Sequence, residues 1–395
     1  MKSIVFTVCN LNYLDKAYVL AKSVFETSNL HTAILIFDRK QDLELEVDYI
    51  HLYWIEDFAG EEFKFLAFKY NVIELSTAYK PYFAETLLDN YERVIFLDPD
   101  IKVYSNLEVV LEMLEKDHFL LTPHFSVTNY DFSENLNLQK FGFYNLGFFA
   151  FKRSTESIEI LRWWWEQNRN YCFIETHMGA FDDQAWMSLA FHYFPAIKPV
   201  THFGMNVGWW NFRERKIELD FPEIKVNGLP LIFFHFSNYG GSDRITKKKT
   251  SIGSNRKEDL KWLAQDYGKD LANFKVKSFI KTYSYNYFED GSYINPLIRR
   301  AYASNFSKLE GYGDPFKKPK GLREYLKKNY LNSRSETDFS GISYDQQEKY
   351  SFYIGVFTKT LRGILFIFGP NRFIALNRLM TYSSSLINFK ELWKT

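Results

Sequence analysis

The chain has 395 residues, enough for one large domain with a smaller appendage or for two modest domains, and its 46% hydrophobic and 25% charged residues exclude a disordered polymer. A formal net charge of +1 leaves no basic field for nucleic acid. The two cysteines, Cys9 and Cys172, stand in no CxxC spacing; they exclude a disulfide scaffold and a cysteine zinc site and point to a reducing compartment. The opening MKSIVFTVCN runs straight into an apolar strand pattern and lacks the features of a signal peptide. No window of about 18 residues is uninterruptedly apolar, so no spanning helix is expected and the chain reads as cytoplasmic.

In chain order, Ser3 to Cys9 is a β-branched and aromatic run and predicts a buried strand. Leu14, Ala17, Tyr18, Ala21, Val24 and Phe25 then recur at helical spacing over Tyr13 to Thr27. Strands follow at His31 to Phe37, ending on Asp38, and at Asp48 to Ile55. Helices are expected near Glu62 to Tyr70 and Val72 to Leu88, then a strand at Arg93 to Leu97 that stops at Asp98-Pro99-Asp100. This alternation implies a largely parallel sheet with helices on both faces, and such sheets bind ligands beyond the carboxyl ends of their strands. Thr7, Asn10, Asp38, Asp98 and Asp100 lie at those ends.

Further strands are expected at Ile101 to Tyr104, His118 to Thr122, Gly142 to Lys152 and Leu231 to Phe236, and helices at Leu107 to Leu114, Thr155 to Asn168 and Asp182 to Tyr193. Thr122 to Phe141 reads as an Asn-rich loop. Trp163 to Trp165 are consecutive on a helix and so point in different directions, which makes at least one of them core. Composition shifts near residue 250, where Lys247 to Lys249 opens a basic stretch; a boundary at residue 265 divides residues 1–265 from a mainly helical 266–395.

The motif that carries chemistry is FLDPDIKVY. Two carboxylates one residue apart at the end of a buried strand can point into one cleft and suit a hard cation such as Mn²⁺ or Mg²⁺. Carboxylates at strand ends are also ordinary loop residues. Haloacid-dehalogenase phosphotransferases begin alike, with DxDxT and the first Asp as nucleophile, but here Lys102 stands in the place of the Thr.

The surrounding segments narrow the choice. Tyr70-Asn71 through Glu74, and Thr77-Ala78-Tyr79-Lys80-Pro81, lead into YERVIFLDPDIKVY. Tyr144-Asn145-Leu146-Gly147-Phe148-Phe149-Ala150, Phe181-Asp182-Asp183-Gln184-Ala185-Trp186, Asn206-Val207-Gly208-Trp209-Trp210-Asn211 and the strand PLIFFHFS, Pro230 to Ser237, follow in order. Together they resemble bacterial GT-A glycosyltransferases related to the glycogenin and galactosyltransferase-like (family 8-like) group, over roughly residues 1–250. The resemblance implies a GT-A catalytic domain, Rossmann-like with a mostly parallel sheet flanked by helices, and a divalent cation, Mn²⁺ or Mg²⁺.

It also implies roles. Asp98 and Asp100 would hold the metal and the donor's ribose and diphosphate, with His235 as third ligand. Thr7, Asn10 and Asp38 would hold nucleobase and ribose, and Asn145 and Gly147 would border the donor sugar. Asp182, Asp183 and Gln184 would approach the reacting carbon, although acidic residues also suit a helix start as caps. Lys80 would steady the donor diphosphate, and Arg244 or Lys247 would replace the Lys that this group usually carries after the metal His. The Gly-rich loop Ser237 to Arg244 is of the kind that closes over a donor, and Asn206, Trp209 and Trp210 are acceptor-site candidates.

The expected activity is sugar transfer from a nucleotide donor, UDP-linked, to an acceptor hydroxyl of a glycan, lipid-linked or protein acceptor in surface-glycan or glycoconjugate synthesis. Similarity to retaining enzymes implies retention; inversion would ask Asp183 to act as base. Two rivals stand beside it, a non-catalytic nucleotide-sugar-binding or scaffold protein and an aspartate-nucleophile phosphotransferase. Residues 353–380 mix Ile364, Leu365, Phe366, Ile367 and Phe368 with Lys359, Arg362, Arg372 and Arg378, broken at Gly369-Pro370. That pattern suits a peripheral contact with the inner face of a membrane, a packed appendage or a homo-oligomer contact.

Overall fold

The computed structural model describes residues 2–43, 45, 47–57, 59–240, 257–274, 280, 282–331 and 350–394. The chain forms two compact units, Met1–Glu61 with Val72–Ser284, and Glu62–Asn71 with Tyr285–Thr395.

The first unit is built on seven strands: β1 (Ser3–Cys9), β2 (Thr32–Ile36), β3 (Ile50–Trp54), β4 (Arg93–Leu97), β6 (Phe119–Pro123), β7 (Tyr144–Lys152) and β10 (Ile197–Pro199). Their order is β10-β6-β7-β4-β1-β2-β3. Only β7 runs against its neighbours; the other pairings are parallel. β1, β2 and β4 are apolar with no alternation because the sheet is covered on both faces, and β2 is buried at every position. The α/β architecture expected from the sequence, with its mostly parallel sheet, is the one observed.

Smaller pairings complete the unit: β5 (Ile101–Val103) with β14 (Phe233–His235), β8 (Ile174–Glu175) with β9 (Ala180–Phe181), and the meander β11 (Ile217–Asp220), β12 (Glu223–Val226) and β13 (Leu229–Pro230). The helices include α1 (Leu14–Ser28), α3 (Val72–Leu87), α4 (Glu108–Lys116), α5 (Phe132–Phe141), α6 (Thr155–Asn170) and α7 (Gln184–Tyr193). α5 is a correction: the stretch expected to be an Asn-rich loop carries a helix, started by Asp131, whose carboxylate accepts from the Glu134 amide at 3.0 Å. Pro81 lies inside α3, which continues through it to Leu87.

Aromatic residues fill the interior. Phe6, Phe96 and Phe149 stack across β1, β4 and β7 at ring separations of 4.9 and 4.8 Å, and fully buried Trp164 meets Phe149 edge-on at 5.0 Å. Trp165 packs on Tyr79 and Tyr82 of α3, while Trp163 faces Tyr193 and Phe194. The three consecutive tryptophans therefore cement three different contacts. Cys9 and Cys172 are buried and form no disulfide.

The helix Lys257–Asn273 continues the first unit beyond residue 265. Lys102 reaches its Asp266 at 2.6 Å and Asp270 at 2.5 Å, and the Tyr104 hydroxyl also donates to Asp266. These contacts tie that helix to the strand that follows the Asp98-Asp100 turn.

In the second unit, Phe68 of α2 (Phe63–Lys69) sits among Tyr302, Phe316 and Phe288, with ring separations of 4.7, 5.3 and 5.6 Å. Arg299 is 2% exposed and donates to the carbonyls of Ala67, Phe68, Tyr70 and Tyr285. One long helix, Ser351–Ser384, is interrupted at Gly369 (φ 75°) and buries none of its residues. It is long and apolar enough to cross a membrane by length and composition, with a mean hydropathy of 1.3 over 18 residues. This differs from the expectation of no spanning helix, because Lys359 and Arg362 divide the apolar run in the sequence.

Candidate metal and donor site

The topology brings the functional side chains to one edge of the sheet. β4 ends at Leu97, so Asp98 leaves at its carboxyl end, where its amide donates to the Gly147 carbonyl at 2.9 Å. Because β7 is antiparallel, its beginning lies at that same edge: Phe148 stands opposite Leu97 and Asn145 opposite Thr122. β14 runs antiparallel to β5 with His235 opposite Ile101, and the Phe236 amide donates to the Asp100 carbonyl at 2.8 Å. That register sets the imidazole beside the carboxylates.

His235 Nε2 is 3.0 Å from Asp100 Oδ1 and 3.7 Å from Asp98 Oδ2. One ligand atom from each of the three residues lies within 4.8 Å of the others. The side chains are 25%, 13% and 7% exposed for Asp98, Asp100 and His235, so the cluster opens to solvent mainly through Asp98. Burial alone would raise the Asp100 carboxyl, but the charge and hydrogen bond of His235 outweigh it and hold the carboxyl down. Burial likewise opposes a charged His235, and Asp100 followed by Asp98 raises it. Two carboxylates and an imidazole at this spacing form an oxygen-rich, borderline donor set, and they fit a divalent cation such as Mn²⁺ or Mg²⁺.

Beneath this cluster lies a charged strut. Lys80 Nζ is 3.5 Å from Asp98 Oδ1, 3.5 Å from Asp183 Oδ2 and 3.2 Å from the Leu146 carbonyl, with only 7% of its side chain exposed. Burial works against the ammonium, yet Asp183 and then Asp98 keep its pKa above the ordinary Lys value. Burial pushes the Asp183 carboxyl well up and raises Asp182, with Lys80 opposing in both. Asp183 makes no capping hydrogen bond at the start of α7, so capping does not account for it; Asp182, at φ 36°, accepts from the Gln184 amide. The Gln184 side chain donates to the Phe141 carbonyl at 2.9 Å and accepts from the Leu146 amide at 3.4 Å.

A second layer surrounds His235. Gly147 is required there by space: a Cβ on it would lie 2.5 Å from His235 Cε1 and 2.6 Å from Nδ1. Asn145 Oδ1 accepts from the Gly147 amide, and Asn206, 1% exposed and at φ 51°, bonds Asn145, Thr122 and His235. Trp210 meets His235 edge-on at 5.1 Å and His124 at 6.2 Å, while Trp209 is 42% exposed. His124 escaped the sequence reading because a single His after an apolar strand carries no signal of its own; its Nε2 lies 3.5 Å from Asn145 Nδ2.

Thr7, inside β1, and Asn10, just past its end, are buried, as is Asp38 beyond β2. Asp38 is engaged at both oxygens, accepting from the Leu11 amide at 2.9 Å and from the Ser284 amide and hydroxyl at 2.8 and 2.9 Å. Burial raises its carboxyl even so. Arg244 and Lys247 lie outside the described residues, as do the last four residues of the loop Ser237 to Arg244.

No family model matches the chain. It is 30% identical over 170 residues to the uncharacterized protein YfnF of Bacillus subtilis (strain 168), an overlap of 40% of this chain and 55% of that protein. It is 23% identical over 260 residues to the uncharacterized protein YfnD of the same organism, covering 62% and 80% respectively. The chain thus spans about half the length of YfnF.

Similar solved structures include galactosyltransferase LgtC in complex with donor and acceptor sugar analogues, at 16% identity, TM-score 0.40, and coverage of 68% of this chain and 99% of that one. The glycosyltransferase GlyE of Streptococcus pneumoniae TIGR4 is 14% identical at TM-score 0.40, covering 71% and 66%. Mouse xyloside xylosyltransferase 1 is 12% identical at TM-score 0.37, covering 60% and 97%. Each of these is a similarity to a glycosyltransferase at low identity and low TM-score.

Proposed function

We propose that the chain is a divalent-metal-dependent glycosyltransferase that moves a sugar from a UDP-linked donor to an acceptor hydroxyl. The observation that carries this reading is the convergence of Asp98, Asp100 and His235, from two separate strand ends, on one partly open point at the carboxyl edge of a mostly parallel sheet. Asp98, Asp100 and His235 would hold Mn²⁺ or Mg²⁺. When bound, such a cation offsets the negative charge that grows on a departing nucleoside diphosphate.

The remaining roles follow from position. Lys80 holds Asp98 in place from below and adds positive charge under the diphosphate. Thr7 and Asn10 line the side of the donor nucleoside, with Asp38 shaping that wall by holding the chain at Ser284. Asn145, Gly147 and Gln184 border the sugar, and the 42% exposed Trp209, with Trp210, offers rings to an acceptor. Asp182 and Asp183 contribute negative charge near the reacting carbon. Asp183 is 1% exposed and paired with Lys80, which suits it to electrostatic support better than to deprotonating an acceptor and favours retention.

For the second unit the proposed partner is an anionic membrane face. Within Ser351–Ser384 there are four basic residues, no acidic ones, and exposed Phe352, Tyr353, Phe357, Phe366, Ile367 and Phe368. A bare apolar helix carrying only positive charge is complementary to anionic lipid. A lipid-linked acceptor, synthesis of a surface glycan and a cytoplasmic position at the membrane follow from that reading.

The test of the catalytic reading is Mn²⁺-dependent binding of UDP, followed by thermal shift. Stabilisation by UDP with Mn²⁺, absent with inorganic phosphate and lost in Asp100→Ala, is expected. Equal shifts with phosphate alone would favour a phosphotransferase, and no nucleotide binding at all would remove the donor site.

A further inference from the structure

The polar side chains around His235 settle which of its two ring nitrogens carries the fixed proton. Backbone N–H and C=O groups have a fixed polarity. The Gly147 backbone N–H is a donor, and it meets the Asn145 side chain at 3.0 Å, so the Asn145 atom there is the oxygen. The Asn206 side-chain atom that faces this oxygen at 3.0 Å must then be the NH₂ nitrogen. The same nitrogen faces the backbone carbonyl of Asn145 at 3.3 Å, a second group that can only accept, and Thr122 Oγ1 at 2.8 Å. The other end of the Asn206 amide is therefore oxygen, and it lies 3.3 Å from His235 Nδ1. An oxygen there accepts, so Nδ1 bears a proton; Nε2 faces Asp98 and Asp100, donates to Asp100 while no cation is bound, and must give up that proton to ligate one.

We propose that Asn206 is a positioning residue that holds His235 in the Nδ1–H form, with Nε2 directed to the metal. This rests on the metal reading given above. Asn206 is suited to the task by burial, by a left-handed backbone that Asn tolerates, and by a carbonyl pinned by the Asn211 side chain at 3.0 Å. Its supports come from β6, through Thr122, and β7, through Asn145, so the ring orientation is referred to the main sheet rather than to β14 alone. An imidazole that is already aimed, with Nδ1 already held as a donor, loses less freedom on binding a metal, and removing such a partner typically costs about 10–100-fold in metal affinity.

Two measurements on the full chain decide this. Histidine-selective ¹⁵N NMR of the Mg²⁺-loaded protein, assigned with His235→Ala, is expected to show His235 protonated at Nδ1 and bare at Nε2; a ring bare at Nδ1 in the metal-bound protein would overturn the inference. Mn²⁺ titration calorimetry without substrate is expected to show Asn206→Leu weakened about 10–100-fold. Thr122→Val, which removes one support of the same amide without touching His235, should stay within about 3-fold, a change of under 1 kcal/mol. Tight Mn²⁺ binding by wild type together with unchanged binding by Asn206→Leu would refute the role of Asn206 and leave the metal site standing. No Mn²⁺ or Mg²⁺ binding by wild type would instead refute the metal site on which the proposal rests.

Discussion

At the scale of single residues, the site is set by space and charge around His235 and Lys80. A methyl group at position 147 would be driven into the imidazole, so Gly147→Ala is expected to lose about 1–3 kcal/mol of stability and to weaken Mn²⁺ binding. Parallel denaturation and calorimetry check it. Lys80 is the counter-charge to two carboxylates, and Lys80→Met leaves Asp98 and Asp183 without it; unfolding in urea should reveal a loss of about 3–5 kcal/mol. His124 has a pH signature. Burial pushes its imidazole down from the ordinary 6.5 to about 4. Below the ordinary value the unfolded chain takes up a proton that the folded chain refuses, so stability falls as pH drops from about 6.5 to about 4. The loss is about 1–3 kcal/mol, and His124→Gln should flatten that part of the profile.

At the scale of elements, the parts that could be read in the sequence are those whose signal is continuous. The strand Arg93–Leu97 and the turn Asp98-Pro99-Asp100 stand in one run, and the buried strands β1 and β2 show as unbroken apolar stretches. α5 was hidden because its apolar positions do not form a buried stripe: none of its residues is buried, and the Asp131 cap is its main local signal. The amide of Asn206 was unreadable for another reason. Residue type names a donor and an acceptor, but which end faces His235 depends on β7 returning antiparallel beside β4. Ser284 likewise meets Asp38 only in the folded chain.

Arg299 illustrates the same limit in the second unit. An Arg in a helix reads as solvated, yet here Arg299 bonds the carbonyls that end α2, so Arg299→Met should destabilise that unit by several kcal/mol, the cost of orphaned buried carbonyls at about 1–3 kcal/mol each. Limited proteolysis alongside thermal unfolding would report it. The helix Ser351–Ser384 is predicted to sediment the chain with vesicles containing phosphatidylserine and not with neutral ones. Reversing Lys359 and Arg362 to Glu should cut that partition at least 10-fold, from about 1 kcal/mol for each basic residue lost. Equal binding to neutral vesicles would mean insertion driven by apolar area, and no binding would leave the helix as a contact between protein surfaces.

At the scale of the molecule, a sheet buried on both faces supplies a stable edge, and the residues of the site are gathered there from distant parts of the chain. Asp98 and Asp100 come from the turn between β4 and β5, Asn145 and Gly147 from the antiparallel return, Asp183 from the start of α7 and His235 from β14. On the proposed reading, this edge binds a nucleotide sugar through a cation and breaks its bond to the diphosphate. The most direct measurement is UDP release from a panel of UDP-sugars with Mn²⁺, comparing wild type with Asp100→Ala and His235→Ala. Slow hydrolysis of one donor by wild type, abolished by chelation and by either substitution, is the expected result and would identify the sugar. Release that persists in both variants, or no release from any donor together with no Mn²⁺-dependent UDP binding, would contradict the account.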